Sequence, residues 1–244
     1  MKFAHIVKEY QLGPALVLAS GIVLAAIVAG YSFYGVHALS NTLTVTGSAT
    51  ASSTADTGKL YVSVSRGTTE DGIAATQTRV SADADAVVAF YKKNGIDDAS
   101  ITLSPIAADR EYSSNEFAPR RYNVRQDINI VSGDVHLIEQ LSKDVAELSS
   151  RGILINVNPP QYYISNLPEL RVQLIGDAVK DAKARAASIA QSAGQRVGRL
   201  QSASSGVVQV MAPNSIDISD YGSYDTSTIE KTVMVTTKAV FLVR

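Results

Sequence analysis

Few residues of this 244-residue chain have the types and spacing that catalysis requires. Histidine, the commonest general base, occurs only as His5, His37 and His136, and only His136 lies far from the apolar N-terminal segment. Serine is plentiful, but the sequence contains neither G-x-S-x-G nor a glycine motif that cradles phosphate. We therefore predict no catalytic residues and a protein that is not an enzyme. The alternative is an unrecognised hydrolase that uses His136 and a nearby serine.

Metal and cofactor sites are also unsupported by the residue types. The chain has no cysteine, which removes disulfides, thiol catalysis and thiolate metal ligands. Its three histidines are too widely separated for a local histidine site. Asp83 and Asp85 would point apart on a helix, and Asp97 with Asp98 fits a turn. We predict no metal and no cofactor.

Three segments could form sites of another kind. Residues 212–228, "APNSIDISDYGSYDTST", carry Asp217, Asp220, Tyr221, Tyr224 and Asp225. A cation site is one hypothesis there, and a mobile or intersubunit loop is the favoured one, because long loops are usually functional or disordered. Residues 116–122, "EFAPRRY", and 159–163, "PPQYY", mix proline, aromatic and arginine residues. That mixture suits an interface and is also ordinary loop composition.

The charge balance argues against nucleic acid as a partner. Lysine and arginine total 22, aspartate and glutamate total 23, and the formal net charge is -1. A nucleic-acid-binding domain usually shows a basic excess or a basic stripe. We therefore predict no nucleic-acid partner.

The N-terminal segment predicts a membrane anchor. No charged residue occurs between Gln11 and Val36. About 25 helical residues span roughly 37 Å, which exceeds a hydrocarbon core of about 30 Å. Lys2 and Lys8 precede this segment, and no lysine or arginine follows before Lys59. The positive-inside rule then predicts a single-pass inner (cytoplasmic) membrane protein, with a cytoplasmic N-terminus and the bulk of the chain extracytoplasmic.

The alternative is a cleaved signal peptide, because "VHA" at 36–38 resembles a cleavage site. The protein would then be a soluble periplasmic binding module. With the anchor retained, the predicted divisions are a cytoplasmic N-terminus at 1–10, a transmembrane anchor at 11–36, a linker at 37–42 and a folded extracytoplasmic domain at 43–244.

Hydrophobic periodicity after the anchor predicts an α+β fold of order ββα-ββα-β-α-ββ, with a mixed or antiparallel sheet and helices packed on it. The predicted strands are 41–54, 59–67, 100–112, 122–131, 153–159, 198–211 and 229–243. The predicted helices are 70–94, 134–150 with Asp134 as N-cap, and 168–194. Residues 113–120 are predicted to form a loop.

The last of these helices contains "DAVKDAKARAASIAQSAG" at 177–194. Its predicted apolar line is Ile175, Val179, Ala182, Ala186, Ile189 and Ala193, widened by Ala178 and Ala190. Asp177 can pair with Lys180, and Asp181 with Arg185. The alternating charges predict a packing helix with a solvated outer face rather than a basic binding tract.

Three stretches of the sequence resemble the SIMPL-domain family, also called DUF541. They are "LTVTGSATAS" at 43–52, "DAVKDAKARAASIAQSAGQRVGRL" at 177–200, and the final strand with its V-x-V-x-F-x-V/L pattern. The resemblance covers residues 41–244 in order. The first turn departs from the family pattern, since "SSTADTGKLYVSV" contains no proline.

The family resemblance implies an α+β fold in an extracytoplasmic compartment. The family includes a periplasmic oxidative-stress-defence protein and a periplasmic immunogenic protein, and at least one member is a ring-like homo-oligomer. It implies no catalytic residues. The expectation for this chain is a membrane-anchored scaffold or cage that self-assembles, with a role in envelope or oxidative stress defence.

Overall fold

The computed structural model describes residues 3–38, 41–112, 114–115 and 119–244. The helices are α1 (Phe3–Ala38), α2 (Ile73–Lys93), α3 (Val135–Lys143), α4 (Ala146–Ser150) and α5 (Leu167–Ser192). The first strands are β1 (Thr42–Thr54), β2 (Thr57–Thr69), β3 (Ile101–Leu103), β4 (Ala107–Arg110) and β5 (Arg121–Ser132). The later ones are β6 (Ile155–Val157), β7 (Gln161–Tyr163), β8 (Val197–Met211), β9 (Ser223–Tyr224) and β10 (Glu230–Val243). The predicted α+β class is confirmed.

Several predicted boundaries are wrong. The strand expected at 100–112 breaks into β3 and β4 around Pro105, which cannot donate to a sheet ladder. The helix expected to reach residue 150 ends at Lys143 and restarts as α4, because Asp144 and Val145 are poor helix formers with non-helical dihedral angles. The short strands β7 and β9 have no predicted counterpart, since strands of two or three residues show no periodicity.

Helix α1 carries the apolar segment. Residues Pro14–Phe33 have a mean hydropathy of 2.2, and none of this stretch is buried against the rest of the chain. By length and composition this helix could be a membrane anchor or a signal peptide. The predicted linker at 37–42 includes residues 39 and 40, which lie outside the described residues.

The chain divides into two compact units, each built from segments distant in sequence. Unit 1 comprises Met1–Ser48, Ile175–Gly206 and Thr236–Arg244. Unit 2 comprises Ala49–Leu174 and Val207–Val235.

Unit 2 is built on the antiparallel pair β2 and β5. Their register runs from Gly58 opposite Ser132 to Thr69 opposite Arg121, with β3 and β4 on the far side of β5 and β6 and β7 on the far side of β2. Alternation sends one row of apolar side chains into the core beneath α2 and α3. That row is Leu60, Val62, Val64, Val124, Ile128 and Ile130. The other face therefore presents the intervening polar residues.

The helices of unit 2 bury the sides that their periodicity predicts. Helix α2 buries Val80, Ala84, Val87 and Tyr91, and also Thr76 and Phe90. Asp134 caps α3 as predicted: its Oδ1 accepts a hydrogen bond of 2.9 Å from the backbone N–H of Leu137.

Unit 1 contains parts of β1, β10 and β8, adjacent in that order. At one edge the backbone N–H of Val243 donates to the carbonyl of Asn41 at 2.9 Å. On the other side of β10, Arg196 and Arg244 exchange two backbone hydrogen bonds of 2.7 and 3.0 Å, the pattern of an antiparallel pair. Helix α5 covers this sheet through a small cluster. Its buried members are Val45, Ala182, Ala186, Ala239 and Phe241.

Gly47 allows α5 to lie directly on β1. A Cβ at this position would collide with the carbonyl oxygen of Ala178 and the backbone nitrogen of Ala182, and would lie 2.8 Å from the Ala182 Cβ. The glycine of "LTVTGSATAS" is therefore required by backbone contact with a helix.

This close contact corrects the predicted apolar line of α5. The buried residues are spaced four apart throughout: Leu174, Ala178, Ala182, Ala186 and Ala190. Ile189 is 50% exposed and Ala193 is also exposed, so the prediction is wrong for both. The buried row follows the i±4 ridge, which is inclined to the helix axis and tolerates only small residues at a close contact.

The charged face of α5 is self-paired, as predicted. Lys180 contacts Asp177 at 2.8 Å and Arg185 contacts Asp181 at 2.7 Å. Asp181 also accepts a hydrogen bond of 2.8 Å from the backbone N–H of Ser48, next to Gly47. Asp181 thus links the charged face of α5 to β1 by a hydrogen bond.

Candidate functional site

His136 lies exposed in the first turn of α3. It borders a shallow surface hollow with Glu139, Gln140, Lys143 and Asp144. None of these lining residues is a serine, and the hydrolase alternative stays a hypothesis.

The acidic segment 212–228 divides into two parts. Asp217 and Asp220 are exposed, whereas Asp225 is largely buried and held by hydrogen bonds. Across the described part of the chain, no three histidine or carboxylate side chains converge as metal ligands would. The cation hypothesis for this segment therefore has no geometric support.

Asp225 forms a buried ion pair with Lys231. Lys231 is 1% exposed, and its Nζ donates to the Asp225 carbonyl at 2.6 Å, the Thr228 carbonyl at 2.7 Å and Asp225 Oδ2 at 3.2 Å. The Asp225 carboxylate also accepts from the backbone and side chain of both Ser227 and Thr228. Every charged atom of the pair has a partner, which makes it a structural clamp on the end of the loop.

Burial and hydrogen bonding act on this pair in opposite directions. Burial alone would raise the pKa of Asp225, but its donors Ser227, Thr228 and Lys231 outweigh burial and hold that pKa well below its usual value. Burial lowers the pKa of Lys231, which Asp225 partly offsets. The carboxylate is therefore ionised whenever the protein is near neutral pH.

Gln209 fixes the preceding part of the loop. Its buried amide donates to the Ser219 carbonyl at 2.5 Å and accepts from the Ser223 hydroxyl at 2.7 Å. β9 then pairs with β8 in parallel. Ile216 and Tyr221 remain almost completely exposed between these attachments. The favoured expectation of a mobile or intersubunit loop at 212–228 stays a prediction.

The "PPQYY" segment is used for packing within unit 2. Tyr162 is buried, the Tyr163 ring lies 5.7 Å from the Tyr224 ring, and Lys59 Nζ lies 4.8 Å from the centroid of the Tyr163 ring. Tyr163 is only half-buried, and the interface role of this segment stays a prediction. Half of the 113–120 loop, at 113 and 116–118, lies outside the described residues, and this half includes the first three residues of "EFAPRRY".

Asp83 and Asp85 are separated as predicted. Asp83 accepts two hydrogen bonds from the Arg66 guanidinium, and Asp85 points to solvent. Asp83 is thus part of an ion pair between α2 and β2.

The outer face of the unit 2 sheet contains a groove of about 450 Å³. Its lining comes from β2, β3 and β5 and from the residues that follow β3 and β6: Tyr61, Val62, Ser63, Thr102, Leu103, Ser104, Arg125, Asp127, Asn129 and Asn158. Pairing places Tyr61 opposite Asn129, and Asn129 opposite Thr102, in one row across three strands. The volume falls in the range of about 300–1,000 Å³ that is typical of small-molecule sites.

Sequence analysis missed this groove although its signal was present. Alternation in "YNVRQDINIV" already placed Asn123, Arg125, Asp127 and Asn129 on one polar face. The missing information was the pairing of β5 with β2 and β3, which places Tyr61 and Thr102 on either side of Asn129 in this polar row.

β8 presents a second feature, in unit 1. Seven consecutive residues, 199–205, are exposed although they belong to a strand. Within the ranges that the structure describes, the outer side of β8 pairs only at Gln209 and Val210, with β9. The unit 1 part of β8 therefore has an open backbone edge, and β1 is the strand at the opposite edge.

The fold agrees with a comparison against protein families. Residues 43–241 match the family described as "SIMPL: Protein of unknown function (DUF541)". The match covers most of the chain, so the chain belongs to the SIMPL family. The comparison with curated proteins found no significant match.

Proposed function

We propose that this protein is a non-enzymatic, membrane-anchored extracytoplasmic protein that self-assembles into a ring- or cage-like homo-oligomer. The observation that carries the proposal is the open edge of β8 at residues 199–205. An unpaired strand edge is a template for pairing with another chain, and natural proteins usually block it with charge or proline. No charged residue and no proline occurs from Leu200 to Met211.

The two edges of the unit 1 sheet support a closed ring over a simple dimer. β8 lies on one side of β10 and β1 lies on the other. Pairing of a β8 edge with the β1 edge of the next copy uses two different surfaces, and such heterologous contacts close into rings when the rotation permits.

The location rests on α1. Its apolar part, Pro14–Phe33, together with the early lysines Lys2 and Lys8, supports an anchor with a cytoplasmic N-terminus. N-terminal sequencing of the protein from membranes tests retention: a start near Leu39 would mean a released periplasmic protein. A role in envelope or oxidative stress defence is proposed on family resemblance alone, and survival of a deletion strain under peroxide tests it.

The assembly experiment uses a substitution that blocks only the edge. Because Arg196 bonds to Arg244 on β10, we expect strand alternation from Arg196 to direct the Gln201 N–H to the open edge. Gln201→Pro should therefore keep the β10 ladder and prevent edge pairing, with Gln201→Ala as the matched control. Light scattering after size exclusion of the detergent-solubilised full chain should give an oligomer for wild type and Gln201→Ala, and a smaller species for Gln201→Pro. A monomeric wild type would refute the proposal.

A further inference from the structure

The groove on the outer face of the unit 2 sheet has no role in the assembly proposed above. Its position is set by the sheet itself, because Tyr61, Ser63, Asp127 and Asn129 stand on regular antiparallel strands. Side chains on regular strands are held more precisely than side chains on loops. The groove is thus a preformed surface of defined chemistry.

Several polar groups of the groove have no partner in the protein. Among the described residues, the side chains of Ser63, Thr102, Asn129 and Asn158 make no hydrogen bond. The Asn129 Oδ1 is shielded from solvent as well, which is costly for an unpaired acceptor. Two hydroxyls and two amides therefore offer donors and acceptors along one depression.

The charges of the groove cancel. Arg125 donates to Asp109 at 3.1 Å and lies 3.7 Å from Asp127. A guanidinium flanked by two carboxylates does not favour an anionic ligand. For a cationic ligand, the groove lining offers one carboxylate, Asp127, and its charge is already balanced by Arg125. The remaining attraction is hydrogen bonding to neutral groups.

An aromatic ring borders these groups. Tyr61 is 41% exposed and stands directly opposite Asn129 on the outer face of the sheet. An aromatic ring with one polar end suits a ligand that has an apolar face and a polar rim. Ring sugars combine a C–H face with hydroxyls that both donate and accept.

We infer that this groove binds a short neutral oligosaccharide, with Tyr61 packing on a sugar face and Ser63, Thr102, Asn129 and Asn158 bonding to its polar substituents. The inference is independent of self-assembly, because the groove lies in unit 2 and the open edge of β8 lies in unit 1.

The test is calorimetric titration of the full chain with two neutral probes, the β-1,4-linked tetramers of glucose and of N-acetylglucosamine. An amine-oxide detergent is needed, since maltoside detergents would compete. A sulfated tetrasaccharide is the charged comparison. Binding of at least one neutral tetramer, with weaker binding of the sulfated one, is expected. No binding of either neutral tetramer, or tighter binding of the sulfated sugar, would overturn the inference.

Variants locate the site. Tyr61→Ala should weaken binding about tenfold, and Asn158→Ala, which changes a residue beyond the end of β6, should weaken it by at least about threefold. Tyr221→Ala removes a 97% exposed tyrosine elsewhere in unit 2 and should leave affinity unchanged. Gln201→Pro should also bind normally, even if the oligomer is lost. Equal affinity of wild type, Tyr61→Ala and Asn158→Ala would place any binding elsewhere and refute this site.

Discussion

Replacement of Lys231 by methionine tests whether the buried pair clamps the loop of unit 2. Methionine keeps the apolar stem and removes an ammonium with three acceptors. Removing one partner of a buried pair costs about 3–5 kcal/mol. Asp225 retains four donors from Ser227 and Thr228, so we expect the lower end, about 3 kcal/mol of lost unfolding free energy.

The measurement is urea unfolding of the detergent-solubilised full chain, followed by circular dichroism. Lys238→Met is the matched control, because Lys238 is an exposed lysine on the same strand, and its cost should stay within about 0.5 kcal/mol. Asp225→Asn should cost less in the Lys231→Met background than in wild type, by about 1–3 kcal/mol. Equal costs for Lys231→Met and Lys238→Met would show that the pair contributes nothing, and the clamp would be refuted.

Three further predictions concern pH and packing. Because the pKa of Asp225 is lowered in the folded protein, its contribution to stability is complete above the ordinary pKa near 3.8 and is lost as the pH falls below that value. Wild type should therefore lose more unfolding free energy between pH 7 and pH 3 than Asp225→Asn, and equal losses would contradict this prediction. Tyr91 has a buried, unpaired hydroxyl, and burial raises its pKa to about 12. Tyr91→Phe should therefore stabilise the protein or leave its stability unchanged. A loss of more than about 1 kcal/mol in urea unfolding would show that the hydroxyl has a partner. Gly47→Ala should destabilise the protein by about 3 kcal/mol, because the new Cβ would collide with α5. Gly176→Ala, at a position on α5 with open space around it, should stabilise the protein by up to about 1 kcal/mol. Similar shifts in melting temperature for both variants would disprove the close contact.

Sequence periodicity predicts the long, regular helices and strands, but it does not predict short strands that form only by pairing with a distant strand. β5 and α2 are correct because their apolar rows extend over ten residues or more. β7 and β9 could not be found, since each exists only by pairing with a strand distant in sequence. The same limit explains α5: periodicity alone favoured Ile189, whereas contact with Gly47 selected the alanine row.

The candidate sites were harder to predict for the same physical reason. Histidine, cysteine and motif counts predict little familiar catalytic machinery, and such counts cannot reveal a surface made by three strands. Asp225 was noted as one of several loop acids, and only burial distinguishes it from Asp217 and Asp220. Lys231 lies in the predicted strand 229–243, but no sequence pattern identifies a lysine whose side chain points inward.

The hydrogen bond between Val243 and Asn41 has a consequence for biosynthesis. β1 leaves the ribosome early, but its neighbour β10 is translated only after β1 and β8. The unit 1 sheet therefore cannot form before β10 emerges, and until then a nascent protein displays β1 and β8 without the strand that separates them. Folding through such long-range contacts is slow. Premature association between nascent chains is thus a hazard that lasts until β10 has joined the sheet.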